Sequence, residues 1–139
     1  MPYRIGYFEV DRMDVVHHAR YFELFERART EMMRAAGASY RNLEESGVML
    51  PLIEATAQYR LPVRYDEEVV VAAWVAHFSR AEVRFAYSVF NRDGKVAVEG
   101  HTRHPITTRD FRLLRLDGDA WEEVRRILSI YAEPPEGPL

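Results

Sequence analysis

Residues 7–37, YFEVDRMDVVHHARYFELFERARTEMMRAAG, carry a short apolar segment through a polar loop into the longest helical pattern of the chain. Arg20, Glu23, Arg27, Thr30 and Arg34 recur at spacings of three and four and draw one narrow polar stripe. Tyr21, Phe22, Leu24, Phe25, Ala28, Met32, Met33, Ala35 and Ala36 cover so much of the remaining circumference that the helix is expected to be largely enclosed. Glu23 and Arg27 are spaced for an i,i+4 ion pair, and Gly37 suits the left-handed residue that closes a helix. Upstream, residues 3–10 are rich in aromatic and branched side chains and read as a strand that delivers Asp11 to its end.

Beyond Gly37 the pattern predicts a short second helix, with Ser39 as N-cap, residues 40–46 as its body and Gly47 as its end. From Leu52 the period changes to two. Ile53, Ala55, Ala57, Tyr59 and Leu61 alternate with Glu54, Thr56, Gln58 and Arg60, which describes a strand with one wet face and small residues midway along the dry one. Small side chains there either open space for a bound group or let the strand pack closely on the helix, and close packing is the commoner use. Residues 69–78, VVVAAWVAHF, are the most apolar strand and are expected at the centre of the sheet with both faces covered. Residues 82–90 alternate again. Asn91, Arg92, Asp93 and Gly94 turn that strand into a hairpin with residues 95–104, and Pro105 breaks the ladder. Residues 109–116 extend or end the sheet. Asp119 and Glu122 are spaced as a capping box for a last helix over residues 119–131, followed by a loose tail at residues 133–139. This order, helices first and then strands on short connections, implies an α+β class with antiparallel pairing in a single domain, residues 1–139.

A chain of 139 residues buries one core without metal or disulfide staples. Its net charge of -3 gives no general attraction to nucleic acid or to an anionic membrane. The absence of cysteine removes disulfide scaffolds, thiol catalysis and zinc–thiolate sites, and fits a reducing compartment, so a cytoplasmic location is expected. No stretch reaches the about 18 consecutive apolar residues of a membrane helix, and MPYRIGYFEV lacks a basic segment followed by an apolar run, so neither membrane insertion nor a leader is expected.

Candidate chemistry concentrates in residues 7–37. An acid at a strand end is most often a surface turn residue. Asp11, however, shares its loop with a helix start near His18, whose backbone amide offers the positive dipole end that an oxyanion needs. His17 and His18 are adjacent and point in different directions, and no H-x-x-x-H spacing accompanies them, so no metal site is expected. His101 and His104 fall on opposite faces of a strand, which excludes chelation by the pair, and together with His77 they read as structural or surface residues. There is no G-x-S-x-G elbow, Walker loop or Rossmann glycine fingerprint. Ser79, Arg80 and Arg84 sit where one strand ends and the next begins, where an arginine either holds a phosphate bidentately or lies on a solvated edge.

Residues 11–34, DRMDVVHHARYFELFERARTEMMR, closely resemble the D-x-x-G-V-V-[YH]-H-x-x-Y-x-x-[FW]-x-E-x-A-R segment of the hotdog-fold acyl-CoA thioesterases. The branch is that of 4-hydroxybenzoyl-CoA thioesterase and the tol-pal-associated enzymes. SYRNLEESGV, LPLIEATAQYRLPVRYDEEV and EGHTRH also look like that family, and the C-terminal helix lies outside the resemblance. The resemblance implies a curved antiparallel sheet wrapped around one long helix, paired into a homodimer or homotetramer with active sites between chains. It implies hydrolysis of a small or aromatic acyl-CoA to a carboxylate and free CoA, with no cofactor beyond the coenzyme A of the substrate. Asp11 then matches the catalytic aspartate, nucleophile or general base, and His18 the position whose amide polarises the thioester carbonyl. His17 falls where the family accepts Tyr or His, Tyr21 is the tyrosine of the motif on the substrate side, and Ser79 with Arg80 matches a region that contacts CoA phosphates. One departure is Asp14, which stands where the family usually has glycine, a position that tolerates Asp if its φ is positive. Hydrolysis of carrier-protein thioesters, another hotdog reaction, and a non-catalytic acyl-CoA-binding module are the competing expectations.

Overall fold

The chain runs through strand β1 (Pro2–Arg4), a 3₁₀ turn (Tyr7–Glu9), helices α1 (Arg20–Ala35) and α2 (Tyr40–Glu45), and strands β2 (Glu54–Tyr59), β3 (Glu68–Phe78), β4 (Glu82–Phe90) and β5 (Val96–Pro105), to helix α3 (Gly118–Ile130). This is a computed structural model that describes residues 1–37 and 40–134, and the side chains of all of these except residues 40–42. The strands form one sheet in the order β1-β3-β4-β5-β2, every neighbouring pair antiparallel. With α1 lying along one face, this is the α+β hotdog arrangement.

Close approach of α1 to the sheet depends on one residue without a side chain. Phe25 stacks on Tyr87 of β4, with ring centroids 4.5 Å apart and planes at 8°, and its ring also lies over Gly100 of β5. Tyr21, Leu24, Phe25, Ala28 and Met33 are all buried, joined there by Arg29. Gly37 closes α1 with φ +78° and Gly47 follows α2 with φ +88°, both left-handed as the sequence implies. The expected Ser39 cap lies outside the described residues. Gly94, also at positive φ, turns β4 into β5.

Several expectations need correction. Residues 3–10 are not one strand, because the chain leaves β1 at Arg4 and Glu9 folds back to accept the Gly6 N–H at 2.7 Å, which makes a 3₁₀ turn of Tyr7–Glu9. Enclosure of α1 is one-sided in a single chain, with Glu23, Glu26, Arg27 and Glu31 facing outward. Glu23 pairs with Arg20 at 3.1 Å rather than with Arg27, whose guanidinium lies 5.2 Å from the Tyr3 ring centroid. The central strand is β4, not β3, and residues 85–90 of β4 are buried on both faces while the outward face of β3 is only partly covered. β2 is an edge strand whose apolar side is largely exposed at Ala55 and Tyr59. Residues 109–116 contribute an isolated bridge, Thr107 to Leu113, instead of a strand. Asp117 occupies the N-cap position of α3 with no side-chain capping bond, so the box expected from Asp119 and Glu122 does not form. Residues 135–139 of the expected tail lie outside the described residues.

Among the described residues, no helix is long and apolar enough to cross a membrane. Helix α3 is fastened to the sheet by buried Leu128 and by the Val75 N–H, which donates to Tyr131 O at 2.7 Å.

Candidate active site

A five-residue loop carries Asp11 between β1 and α1, closed at its base by a bridge from Val10 to Val16 and by the Asp11 N–H donating to Val15 O at 2.9 Å. Two further bonds moor it. Val16 N–H donates to Val63 O at 2.8 Å and His17 N–H to Glu9 O at 2.8 Å, so the loop sits at the end of the sheet where β3 begins.

Within the loop, Asp11 Oδ1 accepts the N–H groups of Met13 at 2.8 Å and Val15 at 3.3 Å. Both donors act on one oxygen, so the carboxylate is oriented by the backbone while Oδ2 has no partner among the described residues and faces out from an exposed side chain. Asp14 N–H donates to Asp11 O at 3.0 Å, and Asp14 itself has φ +59°, a left-handed conformation that Asp tolerates.

Next to this loop, α1 opens with turn-type bonds from Arg20 N–H to His17 O, Tyr21 N–H to His18 O and Phe22 N–H to Ala19 O. Ala19 N–H is capped by His17 Nδ1 at 3.4 Å. His18 N–H is left without an acceptor among the described residues. The loop and the helix start thus offer, close in sequence, a carboxylate oxygen without a partner and an unclaimed amide at the positive end of a helix, the two kinds of group needed to attack a carbonyl and receive its negative charge.

The histidine rings do not diverge as expected. They stack, with centroids 4.3 Å apart and planes at 29°, and His18 meets the edge of Tyr59 at 6.4 Å. No group of three or more His, Cys, Asp or Glu side chains placed to hold a metal occurs among the described residues. Tyr21 is only 3% exposed, its ring packs against Tyr59 at 5.6 Å, and burial raises its phenol well above the ordinary range.

Ser79 and Arg80 are not brought to Asp11 within one chain. They follow β3, whereas the Asp11 loop is moored where β3 begins, and an 11-residue strand rises about 3.3 Å per residue between the two ends. Ser79 Oγ accepts the Ala81 N–H at 3.2 Å, and the Arg80 guanidinium lies over the Trp121 ring at 5.3 Å.

Two contributors were missed. Glu9, 3% exposed, accepts the Tyr3 hydroxyl at 2.8 Å and the Gly6 N–H while its carbonyl holds His17; the Gly6-x-x-Glu9 spacing was its signal. Tyr59 donates its hydroxyl to His18 O at 3.1 Å from 41 residues away, and nothing local marks it.

Residues 6–121 match the sequence pattern of the family described as the thioesterase-like superfamily. The chain belongs to this family. The superfamily match contains the whole Asp11–His18 loop as well as Ser79 and Arg80 and ends inside α3. A putative esterase of Aquifex aeolicus is 35% identical over 101 residues, 73% of this chain and 78% of that one. The putative acyl-CoA thioesterase YneP of Bacillus subtilis is 28% identical over 100 residues, 72% of each chain. The solved structure of a DHNA-CoA thioesterase from Staphylococcus aureus superposes on this thioesterase-like fold with a TM-score of 0.84 at 30% identity, covering 94% of this chain and 90% of that one.

Proposed function

We propose that this chain hydrolyses the thioester of a small or aromatic acyl-CoA to a carboxylate and free CoA. The observation that carries the reading is the division of labour at Asp11: Oδ1 is held by two backbone amides, Oδ2 is open, and the helix-start amide of His18 has no acceptor among the described residues. Asp11 Oδ2 either attacks the thioester carbon or takes a proton from the water that does. In both routes the His18 N–H receives the charge on the carbonyl oxygen, the carbon–sulfur bond breaks, and the CoA thiolate leaves and is protonated; in the first route water then opens the acyl–Asp11 anhydride, which releases the carboxylate and restores Asp11. The proposed chemistry uses no group beyond the substrate and water.

We infer a homodimer joined through the open edge of β2, which is an edge strand in the single chain. Antiparallel pairing of two β2 edges sets the Tyr59 end of one strand beside the Glu54 end of the other. In that pairing the end of the partner's sheet that carries Ser79 and Arg80 lies at the same end as the Asp11 loop of this chain. His17 at the loop and Arg80 of the partner subunit are the substrate-side contacts of that arrangement.

Release of free thiol from short, long and aromatic acyl-CoAs and from carrier-protein thioesters tests the reading. The wild type turns over at least one acyl-CoA, and Asp11→Asn and Asp11→Ala lower kcat about a hundredfold or more. Full activity in Asp11→Ala sinks the assignment, tight binding with no thiol release at any pH marks a binding module, and turnover of carrier-protein thioesters alone moves the substrate class. A single turnover in ¹⁸O-water tests for the nucleophile: an Asp11 anhydride opened by water at the Asp11 carbon leaves unlabelled Asp11 oxygen in the first product, whereas a general base gives a labelled product.

A further inference from the structure

The geometry points to Tyr59 as a positioning residue that holds the peptides around His18 so that the His18 N–H faces the substrate; this rests on the thioester reading above. At the start of α1, the Arg20 N–H holds His17 O, on the peptide that carries the His18 N–H, while the next peptide is held less closely. The first turn is held by bonds of 2.9, 3.4 and 3.3 Å, and the 3.4 Å bond, from Tyr21 N–H to His18 O, is at the limit of useful length. The Tyr59 hydroxyl supplies a second and shorter donor to the same oxygen, at 3.1 Å.

The two sides of His18 are then clamped by different parts of the fold. On the N-terminal side, His17 N–H is held by Glu9 O, which sits in the 3₁₀ turn. On the C-terminal side, His18 O is held by Tyr59, which sits on the edge strand. With both neighbouring peptide groups fixed, rotation about the His18 backbone is restrained and its free N–H keeps one direction. Preorganised donors of this kind cost no reorganisation when charge develops.

Tyr59 is itself held for this task. Its backbone pairs with Val98 of β5, and its ring packs on buried Tyr21 at 5.6 Å and against the His18 imidazole. Burial raises the Tyr59 phenol above its ordinary value, so the hydroxyl stays a donor over the working pH range. Removing the oxygen alone therefore leaves the packing intact, and Tyr59→Phe isolates the hydrogen bond.

The test compares wild type, Tyr59→Phe, Tyr59→Leu and Asp11→Asn by steady-state thioester hydrolysis, urea unfolding and amide NMR of the full chain. Tyr59→Phe is expected to lower kcat about tenfold, a fraction of the 10²–10³ lost with a direct oxyanion donor, with KM within about twofold and an unmoved urea midpoint. Tyr59→Leu loses more of kcat and also lowers the midpoint. In Tyr59→Phe the His18 carbonyl ¹³C and the Ala19 amide ¹⁵N resonances shift, because the peptide between them loses a donor. A Tyr59→Phe enzyme with wild-type kcat overturns the inference while leaving the role of Asp11 standing, and so does a kcat loss that only tracks a fall in the urea midpoint. If Asp11→Asn keeps its activity, or no thioester is hydrolysed, the thioester reading fails by itself. The two NMR resonances then decide Tyr59 alone, and their failure to shift overturns it.

Discussion

A β-carbon at position 100 would lie 2.3 Å from Cε2 and 2.5 Å from Cζ of Phe25 and 2.8 Å from the Thr56 carbonyl oxygen, so the glycine is what lets α1 rest on β5. Its φ is not in the left-handed range, and the requirement is steric. Gly100→Ala forces the Phe25 ring off its stack with Tyr87, and overpacking of this kind costs about 1–3 kcal/mol. Urea unfolding measures the loss. Combining it with Phe25→Leu, which withdraws the ring edge, should shrink the Gly100→Ala penalty, and a strictly additive pair would show that the two residues do not compete for space.

Asp14 occupies φ +59° beside the candidate catalytic carboxylate. Aspartate tolerates that conformation at a cost glycine does not bear. Asp14→Gly is therefore expected to raise stability by up to about 1 kcal/mol, offset in part by the entropy of the unfolded chain, while Asp14→Val, β-branched at positive φ, lowers it by more than that. Thermal midpoints of the two variants check the ordering. A kcat for Asp14→Gly equal to wild type would show that the second carboxylate is a conformational substitute with no part in the chemistry.

What was legible in the sequence follows from the range over which each contact acts. The polar stripe of α1, its glycine stop, the Asn91–Gly94 turn and the Asp11–His18 spacing are local, and residues a few positions apart report on one another directly. The place of β3 is not local. Its apolar composition suggested the centre, but β1 pairs with only residues 68–70 of it, which leaves β3 second from the edge and gives the centre to β4. Small Ala86 and Ser88 on the outward face of β4 are buried by the neighbouring strands, which composition does not reveal. The same distance in sequence hid Tyr59 from His18 and Tyr87 from Arg29, contacts across 41 and 58 residues. The sequence of α1 does not reveal Tyr87 as a partner of Arg29; β4 laid beside the helix does.

Glu9 gives a second handle on the loop that does not touch the reacting groups. Both carboxylate oxygens accept, one from Tyr3 and one from Gly6, in a site 3% exposed. Glu9→Gln turns one acceptor into an N–H₂ that faces a donor, and leaving buried donors unsatisfied costs about 1–3 kcal/mol. Stability should fall by that amount, and kcat should fall with it, since the Glu9 carbonyl anchors His17. Glu9→Gln with unchanged urea midpoint and unchanged kcat would show that the 3₁₀ turn is held by other contacts.

Acid should find the buried polar chain that runs from α1 to the segment before β2. Arg29 donates to the Tyr87 hydroxyl at 2.8 Å, Tyr87 meets Thr102 Oγ1 at 2.6 Å, Thr102 meets His104 Nε2 at 3.0 Å, and His104 Nδ1 meets Leu50 O at 3.1 Å. Its two ends set the direction of every proton. A guanidinium only donates and a carbonyl only accepts, so Tyr87 donates to Thr102, Thr102 donates to Nε2, and a neutral His104 carries its proton on Nδ1. Burial, with the Arg29 charge added, lowers the His104 pKa from 6.5 to about 4, against the opposing hydrogen bond to Leu50. Between those two values the unfolded chain binds a proton that the folded chain refuses. The stabilisation is therefore complete above about pH 6.5 and is lost as pH falls towards 4, amounting to about 3 kcal/mol. The other four histidines are exposed. Urea unfolding at half-unit steps from pH 7 to pH 4.5 measures it, and ¹⁵N shifts of His104 at pH 5 should report a neutral ring protonated on Nδ1. His104→Gln keeps an N–H for Leu50 and an acceptor for Thr102 but cannot titrate, so it should be less stable at pH 7 and flatter between pH 6.5 and 5, where few carboxylates titrate. Equal slopes in wild type and His104→Gln over that interval would remove His104 as the source of the acid sensitivity.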